Sequence, residues 1–111
     1  LLKTEDIHVG DIDGDNLLDT TLVVALTEYS SGRHWYRALP VILAGCAGKA
    51  ELGRWLDYMS VDIGQWNGYQ DSTATTNQLW TSVMQMFGSQ EQTFGHVDPS
   101  IPNGPLPGLI A

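Results

Sequence analysis

An α/β fold follows from three features of this 111-residue chain. Residues 20–27 and 40–44 are continuous apolar or β-branched runs too short for helices, and residues 76–87 carry a helical apolar stripe. Neither short run alternates between apolar and polar residues, so both predict strands covered on both faces, as in the sheet of an α/β protein. Two such strands and one helix are too few to close a doubly covered sheet, because every apolar face needs a covering layer. The expected unit is therefore incomplete on its own, with the missing strands supplied by the remainder of the same protein or by another chain.

The elements follow in chain order. Residues 5–19 form an acidic loop: six of the thirteen Asp and Glu residues lie in the first nineteen positions, opposed there by Lys3 alone. The first strand, 20–27, is Thr-Thr-Leu-Val-Val-Ala-Leu-Thr, and a polar loop from 28 to 37 leaves it. The second strand, 40–44, starts at Pro40, where a missing N–H donor is tolerated. It runs into Gly45, Cys46, Ala47 and Gly48, four small residues that mark a tight turn approached by another backbone or a ligand. Residues 51–68 are rich in Trp and Tyr without a clean period, which suggests a covering segment or an irregular hairpin. In the helix, Leu79, Trp80, Val83, Met84 and Phe87 make one wide apolar stripe. Thr75 and Gln78 have capping-box spacing, and Gly88 stands where a left-handed C-terminal residue is expected. The tail, 94–111, holds Pro99, Pro102, Pro105 and Pro107 and predicts an extended, irregular end.

Composition excludes several functions. The formal charge is -8, from 13 acidic and 5 basic residues, and the five cations form no stripe. Binding to a nucleic-acid backbone or to anionic lipid is not expected. No apolar run approaches the roughly 20 residues of a membrane span. The single Cys46 can form neither an internal disulfide framework nor a Cys-based zinc site by itself. The start, Leu-Leu-Lys-Thr-Glu-Asp, lacks the basic and apolar regions of a signal peptide, so the expectation is either a cytosolic protein or a targeting segment upstream.

Two groups of residues could bind a cation. Asp11, Asp13, Asp15 and Asp19 stand at relative positions 1, 3, 5 and 9, the spacing by which a curled loop converges carboxylates on calcium. Asn16 replaces the usual Gly at position 6, and Leu22 replaces the bidentate Glu at position 12, which removes EF-hand geometry. The shorter acidic loop followed by a strand resembles the calcium loops of integrin-type propeller blades; the plainer reading is an acidic turn. The second group is Glu28, Arg33 and His34, in the loop leaving the first strand. Ligands of open α/β sheets bind beyond the carboxyl ends of strands. Whether the 45–48 turn shares that rim depends on strand direction: a short loop also permits an antiparallel pair, with the two ends apart. His8 and His96 read as surface residues. Trp35, Tyr36, Trp55, Tyr58, Trp66 and Tyr69 read as core and lid, or else as a sugar-stacking or protein-binding platform. Ser30 and Ser31 lack the elbow motif of a nucleophile.

Read together, four stretches resemble the C-terminal part of an uncharacterised family of bacterial exported proteins related to the alkaline phosphatase and sulfatase superfamily. They are Asp-Gly-Asp-Asn-Leu-Leu-Asp-Thr-Thr-Leu-Val-Val at 13–24, Thr27-Glu28-Tyr29 leading to His34, Leu-Pro-Val-Ile-Leu-Ala-Gly at 39–45, and Phe94-Gly95 with Gly-Pro-Leu-Pro-Gly-Leu at 104–109. They occur in family order across roughly residues 2–109. The resemblance implies a mixed-sheet, alkaline-phosphatase-like α/β domain exported by a twin-arginine signal, hence periplasmic or extracellular, of which this chain is the last portion. It implies a metal-dependent phosphate or sulfate ester hydrolase whose nucleophile lies outside this chain. In active members of the superfamily the first strand ends in an Asp-His pair on catalytic metal; the matching residues here are Glu28 and Tyr29. Tyr29 lacks the nitrogen ligand, which points to a degenerate site with Glu28 and His34 as the remaining ligands for zinc or manganese. The family connection into this strand commonly lacks the full carboxylate set, so calcium at Asp11, Asp13, Asp15 and Asp19 is not implied by it. That calcium loop belongs to the alternative, a non-enzymatic extracellular structural or binding module.

Overall fold

The computed structural model describes residues 17–29, 32–33, 38–46, 48–59 and 73–111. Among them the elements are α1 (Leu17–Thr20), β1 (Leu22–Leu26), β2 (Val41–Gly45) and α2 (Thr76–Met86). The strands pair antiparallel, with Leu22 opposite Gly45, Val24 opposite Leu43 and Leu26 opposite Val41. The α/β content agrees with the sequence. The end of the predicted acidic loop, residues 17–19, is instead within one turn of helix; β1 is shorter than predicted at both ends, and β2 keeps its predicted length but lies one residue later.

Cover on the two faces of the strand pair is unequal among the described residues. Residues directly opposite in a pair share a face, so Leu22, Val24, Leu26, Val41 and Leu43 point one way. Leu22, Val41 and Leu43 pack against the core formed by Ala50, Leu79, Met86 and Leu109. The other face carries Val23, Ala25, Ile42 and Ala44, and Ile42 is 70% exposed. Both faces are apolar, and the described residues cover one of them; cover for the other is the part expected from the remainder of the same protein or from another chain.

The turn after β2 is approached by backbone. Gly45 has φ of +90°, and a Cβ placed there would lie 2.1 Å from the Thr21 carbonyl oxygen. Cys46, fully buried with φ of +48°, donates its N–H to Leu18 O at 2.9 Å and Thr21 O at 3.0 Å. This shared bond ties the α1–β1 junction to the end of β2.

Both ends of α2 follow from local sequence. The Thr75 hydroxyl accepts from Gln78 N at 3.2 Å, while the Gln78 side chain accepts from Thr75 N at 3.1 Å, forming the predicted capping box. At the other end Gly88 has φ of +95°, its N–H reaches Gln85 O, and Ser89 N reaches Met84 O. Those two bonds form a Schellman motif. Lys49 Nζ donates to Met86 O at 3.1 Å, placing a cation at the negative end of the helix dipole.

The buried face of α2 differs from the predicted stripe. Gln78, Leu79, Thr81, Ser82 and Met86 are buried, whereas Phe87 is 55% exposed and Trp80, Val83 and Met84 are half-buried. At about 100° per residue, the centre of the buried face is turned by roughly 130° from that of the apolar one. The cause is the tail. Leu109 is buried in the core, Ala50 and Ile110 form an antiparallel bridge, and residues 102–108 are bonded by side chains of α2 and of the 48–59 segment. The 48–59 segment has no regular strand apart from bridge positions, in keeping with an irregular covering segment; residues 60–72 lie outside the described residues. No helix among the described residues is long and apolar enough to cross a membrane.

Candidate functional site

Strand β1 delivers Thr27, Glu28 and Tyr29 directly beyond its carboxyl end. With Leu26 they line an open pocket of about 400 Å³. The Thr27 hydroxyl donates to Tyr29 O at 2.8 Å, closing a tight turn across Glu28. Glu28 is exposed, and Leu26 and Tyr29 are each 43% exposed. The wall of the pocket therefore combines a solvated carboxylate, a phenol and an apolar strand end.

Strand polarity answers the question left open by the sequence. Because β1 and β2 are antiparallel, Leu26 lies opposite Val41, while Gly45 lies opposite Leu22. Four strand steps of about 3.4 Å separate these ends by about 14 Å. The 45–48 turn therefore stands away from Glu28 and serves the junction with α1. Asp19, half-buried in α1, is at that far end as well. Glu28 and Asp19 thus stand at opposite ends of the sheet. His34 and Asp11, Asp13 and Asp15 lie outside the described residues, as does the His8 reading; Arg33 is described and exposed.

No family model, curated protein or solved structure matches this chain.

The chemistry of the pocket rests on its own donors. The Glu28 carboxylate is an oxygen ligand suited to a divalent cation, but zinc needs at least three protein ligands and calcium six to eight oxygens. Among the described residues no group of three or more His, Cys, Asp and Glu side chains comes together. Glu28 would have to share a metal with ligands beyond those residues.

Other side chains settle differently. His96 is exposed, in line with a surface residue. Trp55, predicted as core and lid or as part of a platform, is 86% exposed and belongs to no core. Tyr58 donates its hydroxyl to Pro107 O at 2.6 Å; burial raises its phenol above the ordinary value of 10.0, and the nearby Arg54 charge opposes that shift. Arg54 donates to Gly108 O and, at 3.0 Å, to Glu51 O. The sequence reading missed the tail-holding role of Arg54, Tyr58, Gln78 and Ser82. The available signal was a set of polar residues on one helix face opposite a segment rich in proline, which leaves many carbonyls without local partners.

Proposed function

We propose that this chain is the C-terminal part of an exported, alkaline-phosphatase-like protein, periplasmic or extracellular, in which Glu28 and His34 hold the rim of a degenerate divalent-metal site. The observation that carries this reading is the position of Glu28 immediately beyond the carboxyl end of β1, in the wall of an open pocket. It is supported by the four family-like stretches in order and by the open outer face of the sheet, which calls for cover from the remainder of the protein or from another chain. The substrate class is a phosphate or sulfate ester. Zinc or manganese supplies Lewis-acid polarisation of the ester oxygens when bound. The part of this chain is to present the Glu28 carboxylate and the His34 imidazole as ligands, with Tyr29 offering a phenol where a nitrogen ligand would complete a two-metal site.

Metal analysis of the purified protein tests this. Zinc or manganese bound near one equivalent and lost in both Glu28→Gln and His34→Ala is the expected result. Calcium lost in Asp13→Ala, with no dependence on Glu28, would replace this reading by a calcium-bearing structural module. Aryl phosphates and aryl sulfates left intact by the metal-loaded full-length protein would limit it to a non-catalytic metal site.

A further inference from the structure

Residues 102–110 form a strap across α2 and residues 49–58, and its backbone is held at two places. At the first, Thr75 Oγ1 donates to Pro102 O at 3.2 Å and Gln78 Nε2 to Asn103 O at 3.4 Å. At the second, Ser82 Oγ accepts from Leu106 N at 2.7 Å, Tyr58 OH donates to Pro107 O at 2.6 Å, and Arg54 donates to Gly108 O. Between the two stands the pair Asn103–Gly104. Asn103 is half-buried, and its Nδ2 donates to Asp98 O at 2.8 Å and to Ile101 O at 2.9 Å, which pins the turn that enters the strap. Its Oδ1 is buried without a hydrogen-bond partner among the described residues. Gly104 has φ of +88°, and its N–H makes no hydrogen bond among the described residues.

An asparagine followed by glycine carries its own electrophile and nucleophile, and no side chain on the second residue obstructs their approach. We infer that Asn103–Gly104 is a spontaneous deamidation site which the seated strap restrains, and that conversion keeps the strap from seating again. Gly104 N forms a bond to Asn103 Cγ as the Cγ–Nδ2 bond breaks. Nδ2 leaves with the bonding pair, takes the proton lost by Gly104 N and departs as ammonia. Water then adds to either carbonyl of the succinimide ring, which opens to aspartate or isoaspartate. In the seated strap two carbonyl oxygens hold Nδ2 and the backbone is fixed on both sides, so ring closure requires release. Neither product fits the seat. Ionised aspartate has no donor for Asp98 O and Ile101 O and sets a negative charge beside them. Isoaspartate adds one carbon to the main chain, so the contacts at residues 102–103 and those at 106–108 cannot be made together.

To test this, the purified chain is held at mildly alkaline pH and Asn103 is followed by peptide mapping, which separates it from the other Asn-Gly pair, Asn67–Gly68. Conversion to aspartate and isoaspartate is expected, more slowly in the folded chain than in the same chain in urea. Tyr58→Phe and Ser82→Ala each remove one strap bond and should quicken conversion about fivefold, the rise in released strap when one hydrogen bond is lost. Hydrogen exchange gives the second readout. The Glu51 amide, which donates to Leu109 O at 2.9 Å, and the Leu106 amide should lose protection in the converted chain and in Asn103→Asp. An Asn103 that stays amidated in the folded chain, converts as fast folded as in urea, or converts at the wild-type rate in both variants overturns the inference. A converted chain whose Glu51 and Leu106 amides stay protected overturns it as well.

Discussion

Alanine at Gly45 should destabilise the protein more than alanine at Gly48, three residues away. Both glycines are left-handed, with φ of +90° and +80°, so an L-residue at either costs about 1–2 kcal/mol in backbone conformation. At Gly48 nothing among the described residues lies within 4 Å of the new Cβ, and the cost ends there. At Gly45 the Cβ would fall 2.1 Å from Thr21 O and 2.9 Å from Leu18 O. Both oxygens are backbone atoms already fixed by the Cys46 N–H, so no side-chain rotation relieves the overlap. The junction between α1 and β1 must move off the end of β2, releasing the shared hydrogen bond and loosening the Leu22–Gly45 pairing. The lost bond alone adds about 1 kcal/mol. In a chain of this length that is roughly 4–8 °C in Tm beyond the loss at Gly48. Thermal unfolding followed by far-UV circular dichroism gives both values under one protocol. Gly45→Ala melting at or above Gly48→Ala would show that the close approach does not restrain the fold.

Three further changes probe α2 and its strap. Leu79→Ala, at a position 5% exposed, should cost about 2–5 kcal/mol in urea unfolding, whereas Phe87→Ala, 55% exposed, should cost about 1 kcal/mol or less; equal losses would restore the stripe read from the sequence. Thr75→Ala should cost about 1 kcal/mol by removing the cap, with Thr75→Ser retaining most of the stability in the same assay. Tyr58 has a raised phenol pKa in the folded protein, so its contribution is fully present below the unfolded value near 10 and is lost as pH rises through the higher folded value. Tm measured from pH 8 to 11 should therefore fall more steeply in the wild type than in Tyr58→Phe, and parallel curves would refute the assignment.

The ends of α2 were legible because they are local. Thr75, Gln78 and Gly88 set their own hydrogen bonds within a few residues, whatever the rest of the chain does. The strands were legible from β-branched and apolar content, and their antiparallel pairing fits the short connection between them. The buried face of α2 was not legible, because apolar content marks which faces can be buried and not which one the chain covers. Gln78 and Ser82 are 5% and 0% exposed only because a segment some twenty-five residues onward brings its carbonyls and an N–H to them. For the pocket, sequence order placed Glu28 beyond β1, and strand direction removed the 45–48 turn from its neighbourhood.

The polar burial and the apolar exposure on α2 have one explanation. Ser82 donates to Gln78 O at 3.1 Å and accepts from Leu106 N at 2.7 Å, and Thr81 donates to Asn77 O at 2.8 Å, so the fully buried hydroxyls are bonded and carry little desolvation cost. The strap thus covers the polar side of the helix. That leaves Trp80, Val83, Met84 and Phe87, spaced at i, i+3, i+4 and i+7, as a second apolar face that Phe94 covers in part, with its ring 6.4 Å from Trp80. Ile42 on the outer face of the sheet repeats the pattern. A helix and a sheet that each keep a second apolar face only partly covered among the described residues have room there for a further neighbour. This shared deficit supports the proposal that further chain completes the layer around the pocket of Glu28.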